Sequence, residues 1–286
     1  MHSQIPGWLE KALHRAFQPP PGRRVGLMLG NVQIGSVDLA LAYTLSQALV
    51  ASGELIVSES TSTLQLQPPY DTSLANITHY LYDSGNLKSL RNELLAVMDE
   101  KNTVLARVER AAARVLGIRT QAVHLIAYVD TDYSTPKMWL QQRAMNKATD
   151  PGKWDTLVGG LVTANEASLE SALAREAWEE AGLKLPIEGT SLQQGLTLRE
   201  SRPVDGSSHM LEDLLSWDIT LPADVVPVNQ DGEVAQFACL PWAQVQNLLE
   251  QESLTLEAAL VIGVSAARRG LLYPAAWHLL QRYALY

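Results

Sequence analysis

The chain has 286 residues, 47% hydrophobic and 19% charged, with 31 acidic against 22 basic side chains and a formal net charge of -9. That length suits one or two domains with sizeable cores, and the acidic balance disfavours nucleic acid or an anionic membrane as partner while still admitting a small anionic substrate. The single cysteine, Cys239, excludes an intrachain disulfide and a thiolate metal cluster and points to a reducing cytoplasm, residues 1–18 lack a signal-peptide core, and no apolar run is long enough for a membrane span.

In chain order, a helix is expected near Trp8–Phe17, broken by Pro19-Pro20-Pro21-Gly22. Val25–Leu29 and Leu55–Val57 read as strands, with Thr63–Leu66 as a weaker one. Helical patterns lie near Asp38–Leu49, Leu74–Leu81 and Val104–Leu116. Residues 1–118 thus form a small α+β domain. His2, His14 and His79 are scattered through it and read as surface or packing residues.

From about Thr120 the pattern changes, which sets 119–286 apart as a second domain. Ala122–Val129, with His124 as a core residue, and Met138–Gln142 read as strands. Trp154–Leu157 leads into Gly159-Gly160, a loop and a helix; Leu192–Leu198, Leu214–Ile219 and Val234–Leu240 are further strands. Helices at Trp242–Leu249 and Ala258–Arg269 follow. The expected class is α/β, a mixed sheet sandwiched by helices.

The chemistry concentrates in Arg175-Glu176-Ala177-Trp178-Glu179-Glu180-Ala181-Gly182-Leu183. Glu176, Glu179 and Glu180 fall at i, i+3 and i+4, one helix face. Such a run is most often a solvated face. Its like charges repel, however, and a hard divalent cation, Mg²⁺ or Mn²⁺, turns that repulsion into coordination. Arg175 can hold Glu179 four residues on, and Gly182 stands where a helix-ending glycine is expected. Leu169, Leu173, Ala177 and Ala181 make an i, i+4 row for packing on the sheet, with Trp178 at its buried edge. A Gly-Gly turn before the helix allows the Gly160 carbonyl to approach an ion.

Further candidates flank this helix. Arg143 and Lys147 are cations suited to a diphosphate. Glu233, just past the Asp231-Gly232 turn, is a candidate metal ligand or general base, balanced against a strand-edge surface carboxylate; Asp231 itself reads as turn chemistry. Thr163-Ala164-Asn165-Glu166 fits a capping box, which makes Glu166 structural.

Glycine pair, loop and carboxylate helix together resemble the Nudix box, Gly-x5-Glu-x7-Arg-Glu-U-x-Glu-Glu-x-Gly-U with U apolar. Every fixed position from Arg175 onward fits, Ala177 serving as the apolar one. Counted from Gly160 the earlier glutamate is Glu166; counted back from Arg175 the position holds Ala167, so one extra residue separates the halves. Arg143-x-x-x-Lys147…Pro151-Gly152-x-Trp154 is similar to the diphosphate-holding stretch of isopentenyl-diphosphate isomerases. That enzyme class predicts a cysteine beside the glycine pair, where this chain has Leu157 and Val158.

Four further segments resemble two-domain Nudix proteins with a DUF4743-type N-terminal domain, often labelled thiamine-pyrophosphokinase-like. They are Glu109-Arg110-Ala111-Ala112-Ala113, Val123–Val129, the PVNQDGEV stretch from Pro227 to Val234, and Ala258–Leu272. The resemblance implies a Nudix α/β/α sandwich after the small α+β domain, and a metal-dependent pyrophosphohydrolase. In it Glu176, Glu179, Glu180 and the Gly160 carbonyl bind Mg²⁺ or Mn²⁺, and Arg175 orients the carboxylates. Glu179 or Glu233 takes the proton from water, and Arg143 and Lys147 hold the diphosphate. Eukaryotic members are implicated in hydrolysing oxidised thiamine diphosphate, and a homodimer is one arrangement the resemblance allows. No Gly-x-x-x-x-Gly-Lys-Ser/Thr loop supports the kinase label. A nucleoside diphosphate-X hydrolase, an isomerase and a non-catalytic diphosphate sensor are the alternatives.

Overall fold

The computed structural model describes residues 5–20, 22–50, 53, 55–58, 63–129 and 136–285; His2 and Pro21 lie outside them. The chain begins with α1 (Gly7–Ala16), β1 (Arg24–Leu29), β2 (Val32–Asp38), α2 (Leu39–Leu49), β3 (Leu55–Ser58), β4 (Thr63–Leu66) and α3 (Tyr70–Asp83). Next come β5 (Leu94–Met98), β6 (Val104–Glu109), α4 (Arg110–Val115), β7 (Thr120–Val129), β8 (Lys137–Arg143), β9 (Trp154–Asp155) and β10 (Val158–Leu161). The remainder is α5 (Leu169–Ala181), β11 (Gln193–Gln194), β12 (Leu198–Pro203), β13 (His209–Leu221), β14 (Val234–Pro241), α6 (Trp242–Glu250), α7 (Leu256–Arg268) and α8 (Pro274–Gln281).

The first sheet has the order β2-β1-β4-β3, and β5 and β6 form a separate antiparallel pair. Both share one core, running from Leu27 to Ile118, with α2, α3 and α4. The stretch Val104–Leu116 is not one helix. Ala106 and Val108 alternate inward as β6 pairs with β5, and the helix starts only at Arg110, capped by the Glu109 side chain. Period two wins over period 3.6 there because the partner strand buries alternate residues.

The larger sheet runs β11-β13-β7-β8-β14, with β10 added to β7, β12 to β13 and β9 to β8. Its centre is the parallel pair β7–β13, in register from Thr120↔Glu212 to Val129↔Leu221. Alternate β7 residues serve two cores, as a two-sided strand requires. Ala122, Ile126 and Tyr128 join α1, α6, α7 and α8, while Val123, Leu125 and Ala127 join α5. This is the expected α/β class with a mixed sheet between helices. The strand expected over Leu192–Leu198 is divided: β11 ends at Gln194, Gly195 donates its N–H to the Ser216 carbonyl at 2.8 Å, and β12 begins at Leu198.

The early chain is tied to this sheet. The apolar face of α1 (Trp8, Leu9, Leu13) is buried in the core that contains α7. Buried Arg119 donates to Asp213 Oδ2 at 2.9 Å, to Asn102 Oδ1 at 3.0 Å and to the Asp99 carbonyl at 2.5 Å. It thereby clamps the β5–β6 turn to β13.

Candidate active site

The carboxylate helix α5 is fixed at both ends. Ser168 caps it, exchanging side chain–backbone bonds with Ser171. Gly182 ends it at φ 67°, a left-handed conformation that costs glycine little. Leu173, Ala177 and Ala181 are buried and Leu169 is half-buried, so the inner row seats α5 on the sheet. Trp178 is not at a buried edge. It is 44% exposed, with Lys184 Nζ 5.0 Å from its ring centroid, because its position faces away from the Leu173–Ala177 row.

Arg175 organises the carboxylates. Its Nη1 donates to Glu179 Oε2 at 2.8 Å and lies 3.0 Å from Glu176 Oε1. Its Nε donates to Glu166 Oε1 at 2.6 Å, and Nη2 to the Leu161 carbonyl at 3.3 Å. Burial lowers the Arg175 pKa, but the Glu166 hydrogen bond and the Glu176 and Glu179 charges more than offset this, and the net shift is upward. Glu166 is therefore not the N3 residue of a capping box. The helix starts later, at Leu169 behind its Ser168 cap, because Thr163 bridges to Leu95 of β5, and the Ala164 N–H donates to the Leu94 carbonyl at 2.8 Å. That loop absorbs the extra residue and leaves Glu166 free to reach Arg175.

Glu180 points inward and is 2% exposed. Its Oε2 accepts from Gly159 N at 2.8 Å and Gln141 Nε2 at 2.9 Å. Burial, then the neighbouring Glu176 charge, pushes its carboxyl up to about 8. Burial also raises Glu176, against the pull of Arg175. Gly160 faces the Glu176 carboxylate so closely that a Cβ would overlap it. A glycine is needed there by close approach alone.

The flanking cations are engaged. Arg143 donates to Asp155 Oδ2 at 3.2 Å and to the Thr149 carbonyl at 3.1 Å. Lys147 pairs with Glu233, and burial lowers its pKa. Asp231 both accepts from the Glu233 N–H at 2.8 Å and lines the carboxylate cleft. His124 is buried, with Nδ1 3.2 Å from Thr156 Oγ1. His14 and His79 are exposed.

The cleft encloses ≈ 430 Å³ and is lined by Glu93, Glu166, Glu176, Glu179, Asp231 and Glu233, with Arg110 and Arg175. Sequence reasoning missed Glu93, Arg110 and the part played by Glu166. Glu93 and Arg110 lie far upstream, just before β5 and at the start of α4, with no local spacing that marks them. Among the described residues no group of three or more His, Cys, Asp or Glu already stands as a metal site. The donors nonetheless suit a hard divalent cation. They are carboxylate oxygens, buried Glu180 and half-buried Glu176 stand beside each other with raised pKa values, and Gly160 has no side chain to keep its backbone away. Glu176, Glu179 and Glu180 are the side chains that could hold it.

The site thus sets a glycine strand against a helix that carries buried Glu180 and half-buried Glu176 and Glu179. Residues 119–259 match the family model described as NUDIX domain. Over 218 residues it is 34% identical to Nudix hydrolase 20, chloroplastic, of Arabidopsis thaliana, covering 75% of this chain and 57% of that one. It is 32% identical over 218 residues to Nudix hydrolase 24, chloroplastic, of the same plant, covering 75% and 59%. The chain thus spans less than two thirds of the length of these relatives. The crystal structure of DR0079 from Deinococcus radiodurans aligns with 67% of this chain and 99% of its own, at 17% identity and TM-score 0.44. No helix among the described residues is long and apolar enough to cross a membrane.

Proposed function

We propose that this protein is a metal-dependent pyrophosphohydrolase that cleaves the diphosphate linkage of a small organic diphosphate. The Arg175 cluster carries this reading: one guanidinium holds Glu166, Glu176 and Glu179 at 2.6–3.0 Å, above a buried Glu180. The kinship with proteins named Nudix hydrolases supports it.

Glu176, Glu179, Glu180 and the Gly160 carbonyl would hold Mg²⁺ or Mn²⁺. When bound, the ion supplies positive charge that offsets the phosphate oxygens and eases deprotonation of water. Arg175 keeps the carboxylates in fixed rotamers, so little reorganisation accompanies the reaction. Glu179 or Glu233 accepts the proton of the attacking water, a P–O anhydride bond breaks, and a monophosphate and orthophosphate leave. Lys147 exchanges Glu233 for a substrate phosphate, which frees that carboxylate to act as the base; Arg143, which lines a second cavity together with Gly159 and Gly160, contacts the substrate from there. The finer reading of the substrate is thiamine diphosphate in an oxidised form, acted on in the cytoplasm by a chain divided near residue 118, alone or as a homodimer.

The test is phosphate release from a panel of diphosphates with Mg²⁺ or Mn²⁺, with products identified. Glu180→Gln is expected to abolish turnover while circular dichroism stays native. Unchanged turnover would overturn the assignment of the site. Metal-dependent binding of a diphosphate without turnover would replace the hydrolase reading with that of a diphosphate sensor.

A further inference from the structure

A second cavity, of ≈ 260 Å³, borders the glycine strand: Gly159 and Gly160 line it beside His124 of β7, and Arg110 and Arg114 of α4 reach it from the early chain. Arg110 also lines the carboxylate cleft, so this one side chain borders both spaces. The early chain is held in this position by the Leu95–Thr163 bridge and by the Ala164 N–H bond to the Leu94 carbonyl, both in the loop between β10 and α5.

The arginines of this cavity differ in their partners. Arg143 is bonded to Asp155 at 3.2 Å and Arg202 to Glu257 at 3.0 Å. Arg110 pairs with Glu93 at 2.6 Å across a partly exposed surface. Arg114 is half-buried and has no side-chain hydrogen bond or ion pair among the described residues. Its nearby carboxylate, Glu212, is fully buried and accepts instead from Thr120 Oγ1 at 2.7 Å. A half-buried guanidinium with no carboxylate bonded to it presents its planar fork to whatever anion enters, and phosphate matches that fork in shape and charge.

We propose that Arg110 and Arg114 form an anion site for the phosphate end of the substrate, so that the early chain completes the substrate site of the Nudix domain. This deepens the hydrolase reading and rests on it for the identity of the anion as part of a diphosphate. Arg110, held by Glu93, spans from the cleft to the cavity; Arg114 supplies the unpaired charge.

The experiment compares wild type, Arg114→Ala and Arg114→Lys in the full chain. Binding of inorganic pyrophosphate is measured by calorimetry in EDTA, where neither metal nor hydrolysis contributes. The expected result is binding by wild type, at least tenfold weakening in Arg114→Ala, and an intermediate value in Arg114→Lys, which keeps the charge but not the fork. With Mg²⁺ and a turned-over diphosphate, Arg114→Ala raises KM at least tenfold and leaves kcat within about threefold. If Arg114 only compensates the buried Glu212, Arg114→Ala loses Tm, Arg114→Ala/Glu212→Gln regains it, and pyrophosphate affinity does not change. That result, or no pyrophosphate binding by wild type, overturns the proposal. Wild type that binds pyrophosphate through Arg114 but hydrolyses no diphosphate supports the anion site and defeats the hydrolase reading instead.

Discussion

Replacing Gly160 by alanine isolates the contact between the glycine strand and the carboxylate helix. The new Cβ would overlap the Glu176 carboxylate, which must retreat by roughly 1 Å or more to reach ordinary contact. That movement breaks the 3.0 Å approach of Glu176 Oε1 to Arg175 Nη1. A misplacement of about 1 Å costs on the order of 10²-fold in rate, or about 2.7 kcal/mol. Overpacking costs about 1–3 kcal/mol of stability, partly offset when a half-buried carboxylate moves toward water. The assay is kcat for phosphate release, with Tm recorded alongside. Gly159→Ala is the control: its Cβ would meet His124 Nδ1 at 3.1 Å, a tight contact that a small ring movement relieves. Gly160→Ala/Glu176→Asp, one methylene shorter, is expected to recover part of the lost rate. A kcat for Gly160→Ala within threefold of wild type would refute the reasoning.

Arg119→Ala removes one partner of a buried pair with Asp213, at 2.9 Å. Asp213 keeps a second arginine, Arg199, at 2.6 Å, so the loss is expected at the low end for buried pairs, about 3 kcal/mol in urea unfolding; a loss below about 1 kcal/mol would contradict the clamp. Burial, then the Glu257 charge, pushes Glu200 up to about 8 against the pull of Arg202. Its folded pKa lies above its unfolded value, so the native state binds the extra proton. The stability contribution is full below about 4.5 and is lost as pH rises through about 8. Glu200→Gln is expected to flatten that part of the stability–pH curve, and an unchanged slope would count against the shift.

The helix α5, its glycine end and its inner row are legible in the sequence because each is a local pattern, a repeat at i, i+4 or a single residue with one conformational use. The strands β7 and β8 are legible for the same reason. The strands β2 and β5 and the short helix α8 carry no such mark. Val32–Asp38 holds a glycine and few apolar residues, and Leu94–Met98 is apolar throughout, so neither strand shows a clear period. The role of Glu166 is obscured by a plausible capping box, which loses to the bridge between Thr163 and Leu95, sixty-eight residues apart in the chain. Contacts of that separation leave no trace in local spacing. The same is true of Glu93 and Arg110, which reach the cleft only after the early chain docks.

The burial of α1 against α7 has a consequence during synthesis. The helix ends at Ala16, and α7 begins at Leu256, 240 residues later. At roughly 5–20 residues per second, translation leaves about 12–50 s between the appearance of the two surfaces. Through that interval Trp8, Leu9 and Leu13 are without the α7 part of the core that later buries them, and the first helix among the described residues is among the last to find its place.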